Sequence, residues 1–368
     1  MRTELVPPLR SFLQNREGAS VKLGLLNLYS TRNLGDAAIY AALASMAPEK
    51  SVSGVLAEQD PSYIHGFHQT DCVANCAGFV SVGGDIFNNA RPKFITRRFL
   101  ENLRAINWRP RATMLFGQSI PRSCHGFSFF CLSKGLSRLC SVTIRDEESF
   151  RRLKSAGVNT ELSFDTAFAL PQQSHSQSLA QHLYDAIGLE PASTVLVSLR
   201  NQSTMYAPND GEKQIVDVVK KLTRRGHNVG LVIQAQGDAA DTDWTLAKII
   251  QAEVPTAKIL NPFLVKAGVE PWSMLTAALG MARGVVAVRY HAAVLRMVEG
   301  KQAYVLHYSN KGEDLCLRLK QLGSTLGEME VEALVPEIEK TFDRDFQSAV
   351  VQRHVKDCFA KAVTGLRA

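Results

Sequence analysis

The feature that most constrains the fold is the repeated alternation of short apolar segments with segments that show helical spacing. Runs such as "GFVSVGG", "ATMLFGQS", "STVLVSLR" and "GVVAV" are largely apolar without alternation, and each is followed by a helical pattern. Strands buried on both faces have this continuous apolar character, and a helix between consecutive strands makes them run parallel. We therefore predict an α/β protein whose parallel sheets are covered by helices on both faces.

The alternation occurs twice, and a polar stretch, "LPQQSHSQSLAQ" at residues 170–181, separates the two series. Two consecutive units of this kind predict two Rossmann-like domains that face a cleft, with ligands at the carboxyl ends of the strands. We place an N-terminal domain at residues 1–172 and a C-terminal domain at residues 180–330. Residues 331–368 have apolar positions at helical spacing, and we expect this helical segment to cross back over the domains.

The composition excludes several classes of protein. The 368 residues are 45% hydrophobic and 21% charged, and no apolar run approaches the ~20 residues of a membrane span. The first residues lack the apolar core of a secretory signal peptide. The seven cysteines include no CxxC pair, which favours free thiols in a reducing compartment over a disulfide framework. We expect a cytoplasmic globular protein.

The net charge of +7 is compatible with nucleic acid, an anionic membrane surface or a phosphorylated substrate. The basic residues form short clusters, "RPKFITRRFLENLR" and "KKLTRRGH", on predicted helices, and solvated helix faces are their simplest interpretation. We expect no nucleic-acid partner and at most peripheral association with the inner face of a membrane. The sequence predicts no particular oligomeric state.

Glycine and polar residues follow two strand ends of the first series. They are Asn33, Gly35 and Asp36 after the first strand, and Gly83, Gly84 and Asp85 after "SV". Asp36 is suited to a helix N-cap, and the glycine pair lets the backbone approach a ligand or the other domain closely. The residues alone leave turn, cap and ligand-binding roles open.

Arg145 leaves another predicted strand of the first series, in "SVTIRD". A guanidinium at this position can bind an anion or form an internal ion pair with Asp146 or Asp165. We favour the internal ion pair.

In the second series, Arg289 and His291 stand where the strand "GVVAV" ends and a helix begins, and Arg200 ends the strand "STVLVSLR". A helix N-terminus attracts an anion, and an arginine beside it adds a fork suited to phosphate or carboxylate. Two arginines would bracket a ligand with two anionic groups, and a neighbouring anion would favour protonated His291 as a proton donor. In the alternative interpretation, Arg289 pairs with a nearby acid and His291 caps the helix.

The motifs of several cofactor and catalytic sites are missing from the sequence. There is no HExxH or zinc spacing, no GxGxxG or GxxxxGK[ST] loop, and no GxSxG elbow. We expect no metal ion and no nucleotide cofactor.

Taken in order, the segments "NLGDAAI", "SVGGDIF", "FGQSI", "SFDTAFAL", "VSLR" and "AVRYHAAVLRMVEGKQAYVLHYSNK" resemble the polysaccharide pyruvyltransferase family over roughly residues 22–322. The R-x-H-A motif at Arg289 is the strongest element, whereas "GGD" and "FDTAF" depart from the family's usual pattern. The resemblance implies a fold like that of the B-type glycosyltransferases. It also implies transfer of a pyruvyl group from phosphoenolpyruvate to a sugar of a cell-envelope polysaccharide or its lipid-linked precursor, as a cyclic ketal.

The resemblance also assigns the site residues. It matches Arg200, Arg289, Tyr290 and His291 to the donor site. We place Lys311 there as well, and we expect His291 to be the catalytic acid. We expect the acceptor near Asn33, Asp36, Gly83, Gly84, Asp85 and His125. Two other functions stay open: a sugar-nucleotide-dependent glycosyltransferase, in which Glu299 would bind the ribose, and a non-catalytic binding protein.

Overall fold

The computed structural model of the chain describes residues 22–56, 64–84, 86–89, 95–200, 211–236, 242–264 and 269–367. It contains two parallel β-sheets with helices packed against them, which confirms the predicted α/β class with two domains. No helix in these ranges is long and apolar enough to cross a membrane. The domain boundaries placed from the sequence remain predictions.

The first sheet has seven strands, and four α-helices lie between them along the chain. Its strands are β1 (Leu23–Leu26), β2 (Val52–Gly54), β3 (Phe67–Gln69), β4 (Gly78–Ser81), β5 (Thr113–Gln118), β6 (Ser141–Ile144) and β7 (Glu161–Leu162). The helices are α1 (Leu34–Met46), α2 (Arg97–Asn107), α3 (Gly126–Leu136) and α4 (Glu147–Ser155). The strand order is β3-β2-β1-β4-β5-β6-β7, and every pairing is parallel.

The second sheet has six strands, and all of its pairings are parallel. The strands are β8 (Thr194–Ser198), β9 (Asn228–Val232), β10 (Lys258–Leu260), β11 (Gly284–Ala287), β12 (Tyr304–His307) and β13 (Gly323–Thr325), ordered β10-β9-β8-β11-β12-β13. The helices of this half are α5 (Gln177–Ala186), α6 (Gly211–Arg224), α7 (Trp244–Glu253), α8 (Pro271–Met281), α9 (Tyr290–Val298), α10 (Asn310–Leu319) and α11 (Val331–Glu339).

Both sheets reverse their strand order beside a central strand. The reversal lies between β1 and β4 in the first sheet and between β8 and β11 in the second. In open parallel sheets such a reversal opens a crevice at the carboxyl ends of the strands, where ligands bind. Most of the residues singled out from the sequence follow these four strands, so the topology brings them to the two crevices; His125, Arg145 and Lys311 follow β5, β6 and β12 instead.

The two halves share one hydrophobic core. Leu34 and Ala38 of α1 belong to the same buried cluster as Leu275 of α8 and Leu295 of α9. This packing explains why α1 is apolar on nearly every side, with ten of its thirteen residues buried. The cleft between the sheets therefore has walls that are packed against each other.

The polar stretch at residues 170–181 is half exposed, but buried residues anchor it to the second domain. Gln173 and Ser176 are buried, and the Ser176 hydroxyl lies 2.6 Å from that of Ser273 in α8. From Gln177 the chain forms α5, where the Tyr184 hydroxyl donates a 2.8 Å hydrogen bond to the Ala278 carbonyl. The polar side chains are tolerated inside because their hydrogen bonds are satisfied there.

The last helix, α12 (Ser348–Arg367), crosses back to the first sheet as predicted. Phe359 packs edge-to-face against Phe116 of β5, with ring centroids 5.1 Å apart. Gln352 donates a 2.6 Å hydrogen bond to the Leu170 carbonyl. The helix thus covers the first sheet after the chain has completed the second.

Candidate functional site

The carboxyl ends of the switch-point strands face one another across a cleft of about 530 Å³. Nine of the residues predicted from the sequence line this cleft. They are Asn33, Asp36, Gly83 and Gly84 from the first domain, and Arg200, Arg289, Tyr290, His291 and Lys311 from the second. The structure therefore gathers most of the predicted donor and acceptor residues around one cavity.

Two predicted acceptor residues stand apart from this group. Asp85 lies outside the described residues. His125 is exposed at the start of α3 and is not among the residues that line the cleft. Ser123 nevertheless ties this region to the cleft, because its hydroxyl donates a 2.6 Å hydrogen bond to the Asn88 side chain on the cleft wall.

His291 is the second residue of α9, and its ring reaches the first domain. Its Nε2 lies 3.5 Å from Oδ2 of Asp165, and its Nδ1 lies beside Gly35 of α1. A Cβ at Gly35 would overlap the imidazole, so the glycine is needed for the close approach of the ring. His291 does not cap α9, because no side-chain hydrogen bond caps that helix.

The cap of α1 differs from the sequence-based prediction. Asn33, and not Asp36, is the N-cap, and its Oδ1 accepts a 3.1 Å hydrogen bond from the Gly35 amide. Asp36 lies in the first turn of the helix and faces the cleft. The capping role is therefore met without Asp36, whose carboxylate instead adds negative charge to the cleft wall.

Asp165 lies behind His291 and forms the internal ion pair predicted for Arg145. Oδ2 of Asp165 is 2.5 Å from Nη1 of Arg145, and neither side chain is exposed to solvent. Oδ1 accepts a 2.9 Å hydrogen bond from the Ala167 amide, and Nε of Arg145 donates to the Ser119 hydroxyl at 2.8 Å. These contacts fix the carboxylate that faces the imidazole.

The electrostatic setting keeps Asp165 ionised. Burial by itself would raise the pKa of this carboxyl, but the positive charges of His291 and Arg145 and the Ala167 amide lower it well below its usual range. The ionised carboxylate lies 3.5 Å from Nε2 of the His291 imidazole. A buried negative charge is thus held beside the one ring that reaches it from the second domain.

Tyr290 separates this buried pair from the cleft. Its ring lies 5.0 Å from the Arg145 guanidinium and 5.8 Å from the Lys311 ammonium. Burial, with a further contribution from the Asp165 charge, raises the pKa of the Tyr290 phenol well above its usual value. The phenol stays neutral and acts as a wall that two cations contact.

Arg289 pairs with an acid, as in the second interpretation of the sequence. Its Nη2 lies 2.7 Å and its Nε 2.9 Å from Oδ1 of Asp243, and both side chains are almost completely buried. Asp243 also accepts hydrogen bonds from the amides of Gln234 and Ala235, at 2.8 and 2.9 Å. One edge of the guanidinium is thus committed to locking β9, β11 and the start of α7 together.

Arg200 and Lys311 bring positive charge to the same corner of the cleft. The Arg200 guanidinium packs 4.7 Å from the centroid of the Tyr308 ring and donates a hydrogen bond to its hydroxyl. Lys311 lies in the first turn of α10. Together with the N-terminus of α9, whose first amides have no partner inside the helix, they form a corner suited to an anion.

Sequence reasoning missed some residues of the cleft. Arg98, assigned to a solvated helix face, lines the cleft and packs 4.7 Å from the Tyr29 ring. Asn27 follows β1 with a φ of 63° and donates a 3.0 Å hydrogen bond to Ser81. An asparagine directly after a buried strand was the available signal for Asn27, since it tolerates positive φ better than most residues.

Glu299 lies away from the cleft. It ends α9, packs against Gly280 and accepts a 2.7 Å hydrogen bond from the Gln173 amide. Burial raises the pKa of its carboxyl. It therefore has a structural role at the far end of the helix and does not face a ligand bound at the N-terminus of α9.

The two parallel sheets and the cleft between them define the two-domain α/β architecture of B-type glycosyltransferases and sugar-nucleotide epimerases. The UDP-GlcNAc 2-epimerase from Neisseria meningitidis, bound to UDP-GlcNAc, aligns with a TM-score of 0.60 at 8% identity, covering 94% of this chain and 100% of its own. The UDP-GlcNAc 2-epimerase from Methanocaldococcus jannaschii aligns with a TM-score of 0.57 at 10% identity, covering 93% of this chain and 99% of its own. A protein from Listeria monocytogenes described as a putative UDP-N-acetylglucosamine 2-epimerase aligns with a TM-score of 0.59 at 11% identity, covering 94% of this chain and 96% of its own. At such identities the similarity establishes the fold alone.

The sequence itself gives the family. The model of the polysaccharide pyruvyl transferase family matches residues 33–310, which include most of the cleft residues of both domains. The chain belongs to the polysaccharide pyruvyl transferase family and is a transferase. Comparison with curated proteins gives no significant match.

Proposed function

We propose that the protein transfers a pyruvyl group from phosphoenolpyruvate to a saccharide of a polysaccharide or its lipid-linked precursor, forming a cyclic ketal on two hydroxyls. One observation carries the proposal beyond family membership. The N-terminus of α9, Arg200, Lys311 and His291 surround one corner of the cleft. This corner combines positive charge with a group that can donate a proton.

The donor's charges fit this corner. Phosphoenolpyruvate has a phosphate and a carboxylate on the same carbon, so it needs cationic groups on more than one side. Arg200, Lys311 and the helix N-terminus supply them, and charge-assisted hydrogen bonds of this kind are the strong ones. Tyr290 and Arg289 shape the wall, with Arg289 held in place by Asp243.

The chemistry begins at the methylene carbon of the donor. His291 donates a proton to that carbon, which becomes a methyl group and leaves C2 electrophilic. A sugar hydroxyl forms a bond to C2 and loses its proton. The bond between C2 and the phosphate oxygen breaks, and a second hydroxyl adds to C2 and closes the ring. The products are the ketal and inorganic phosphate; one hydroxyl proton restores protonated His291, and the other leaves on the phosphate.

The chain's own residues support this proton transfer. The Asp165 carboxylate lies 3.5 Å from the His291 imidazole, and Arg145 pairs with the same carboxylate. Gly35 makes room for the His291 ring, because any side chain there would overlap it. On the opposite wall, Asn33, Asp36 and the Gly83–Gly84 backbone are placed to contact the acceptor hydroxyls.

Ligand-dependent thermal stability tests the choice of donor. A ligand that binds only the folded protein stabilises it by about 2.7 kcal/mol at a concentration of 100 Kd. We expect phosphoenolpyruvate to raise the melting temperature and UDP-GlcNAc to leave it unchanged. Lys311→Gln should reduce the shift, whereas Lys356→Gln, on the exposed side of α12, should not.

The opposite pattern would favour a sugar-nucleotide-dependent glycosyltransferase. The epimerase structure bound to UDP-GlcNAc makes this the competing function, although Glu299 does not face the cleft. Stabilisation by UDP-GlcNAc without stabilisation by phosphoenolpyruvate would reject the pyruvyl donor. If phosphoenolpyruvate does bind, release of inorganic phosphate that depends on the acceptor would confirm the reaction.

A further inference from the structure

The positive charge of the chain is concentrated in one part of the first domain. Residues 95–145 contain nine Lys or Arg and one Glu, a net charge of +8, whereas the whole chain carries +7. This segment spans α2, β5, α3 and β6. The excess of basic residues therefore belongs to one segment of the chain, and the rest of the chain is close to neutral. Arg122 and Arg145 of this segment pair with acids that lie outside it.

The same segment exposes two aromatic rings. Phe127 and Phe130 of α3 are 70% and 56% exposed, and their rings stack at 6.4 Å with an interplanar angle of 18°. The ammonium of Lys134 lies 5.7 Å from the Phe130 ring. Positions 127, 130 and 134 share one face of the helix. Large apolar groups exposed together mark a surface that meets a partner.

Helix α2 extends this surface. A Cβ at Gly135 would lie 2.7 Å from Leu103 and Asn107, so the glycine lets the two helices approach closely. Leu100 and Arg104 flank that contact on α2, and both are exposed. Within the described ranges, no acidic side chain lies at ion-pair distance from Arg104, Lys134 or Arg138. We call this region the α2–α3 surface, and it consists of Leu100, Arg104, Phe127, Phe130, Lys134 and Arg138.

The α2–α3 surface adjoins the cleft. Helix α3 begins just after Ser123, whose hydroxyl bonds to Asn88 on the cleft wall and accepts from the Asn89 amide. Helix α2 begins next to Thr96 and Arg98, which also line the cleft. The aromatic rings at the start of α3 are therefore close to the mouth of the cleft, on the side of the first domain.

We propose that the α2–α3 surface docks the protein on an anionic lipid bilayer. Phe127 and Phe130 would enter the headgroup region, and Arg104, Lys134 and Arg138 would contact anionic headgroups, the combination that holds interfacial helices on membranes. Docking in this orientation brings the cleft mouth to the bilayer. The benefit for a lipid-linked acceptor rests on the proposed function, but the docking itself does not.

Vesicle flotation of the full chain tests the proposal. We expect binding to vesicles of equal parts phosphatidylglycerol and phosphatidylcholine, and loss of binding in phosphatidylcholine alone or in high salt. Phe127→Ser combined with Phe130→Ser should weaken the partitioning more than about tenfold. Each of Lys134→Gln and Arg138→Gln should weaken it about fivefold. Leu317→Ser, a 74% exposed leucine on α10, is the matched control and should bind like the wild type.

Two results would overturn the docking surface. One is a failure of the expected flotation: the wild-type protein does not float with the anionic vesicles, or the double phenylalanine variant floats equally well. The other is a dimer, detected by analytical ultracentrifugation, that dissociates in the double variant while no vesicle binding occurs. Vesicle binding needs neither donor nor acceptor, so a protein that binds vesicles without transferring pyruvate would reject the proposed function and leave the docking surface standing.

Discussion

The part of the chain that the structure describes contains two buried arginine–aspartate pairs at strand ends, one beside each half of the cleft. Arg145 and Asp165 form the pair of the first domain, and Arg289 and Asp243 form the pair of the second. Asp243 is saturated, because its oxygens accept from the guanidinium and from two backbone amides. Asp165 keeps one further neighbour, the imidazole of His291 from the other domain.

This difference separates two uses of the same pair of residue types. The Arg289–Asp243 pair satisfies its own charges and fixes the geometry of the loops around it. The Arg145–Asp165 pair leaves its carboxylate facing the imidazole of His291. If His291 donates the proton, as the proposed function requires, only the first pair contacts it, and we expect only that pair to support the transfer.

The largest expected effect comes from the group that distinguishes the two pairs. Glutamine at position 291 can hydrogen-bond a phosphate but cannot supply a proton, so His291→Gln should lower kcat by roughly 10²–10⁴-fold with a smaller change in KM for phosphoenolpyruvate. Steady-state kinetics with donor and acceptor varied separately measures both constants. Near-normal kcat with weakened donor binding would show that His291 binds the donor but does not supply the proton.

Removing the charge of Asp165 and removing that of Asp243 should destabilise the protein by similar amounts. Asp165→Asn and Asp243→Asn each leave a buried arginine without its counter-ion, which destabilises a protein by about 3–5 kcal/mol. Urea unfolding measures the loss, and Glu101→Gln, in an exposed pair with Arg97, should change stability by less than about 1 kcal/mol.

The two aspartate variants should then differ in activity. At a temperature where both are folded, Asp165→Asn should lower kcat more than Asp243→Asn, because only Asp165 contacts His291. Equal kcat values in the two variants would contradict the distinction between the pairs.

Much of the cleft could be predicted from the sequence because parallel strands carry a local signal. The apolar run that ends at Arg289 and the helical pattern after it place His291 at a strand-to-helix junction without any long-range information. Switch-point topology then brings such junctions together. Asn33 and the Gly83–Gly84 pair were found for the same reason.

The partners of these residues could not be predicted, because they depend on distances between segments far apart in the sequence. Arg289 could have paired with any nearby acid, and only the folded chain brings Asp243 to it. The contact between Asp165 and His291 requires the two domains to dock. Glu299 lies only about two helical turns beyond His291, yet the direction of α9 carries it away from the cleft.

The smallest expected effect is a difference in the pH dependence of stability, and it again separates the two pairs. The pKa of Asp165 in the folded protein lies well below its usual value, whereas in the unfolded chain it returns to about 3.9. Below about pH 4 the unfolded chain therefore binds a proton that the folded protein excludes, so the stability contributed by Asp165 is complete above that pH and is lost as the pH falls. The slope from one such group is at most about 1.4 kcal/mol per pH unit. We expect the unfolding free energy of the wild type to fall more steeply below pH 4 than that of Asp165→Asn, with Asp243→Asn retaining the Asp165 slope. Urea unfolding at a series of acidic pH values measures this, and a wild-type slope that persists in Asp165→Asn would assign the acid sensitivity to other carboxyl groups.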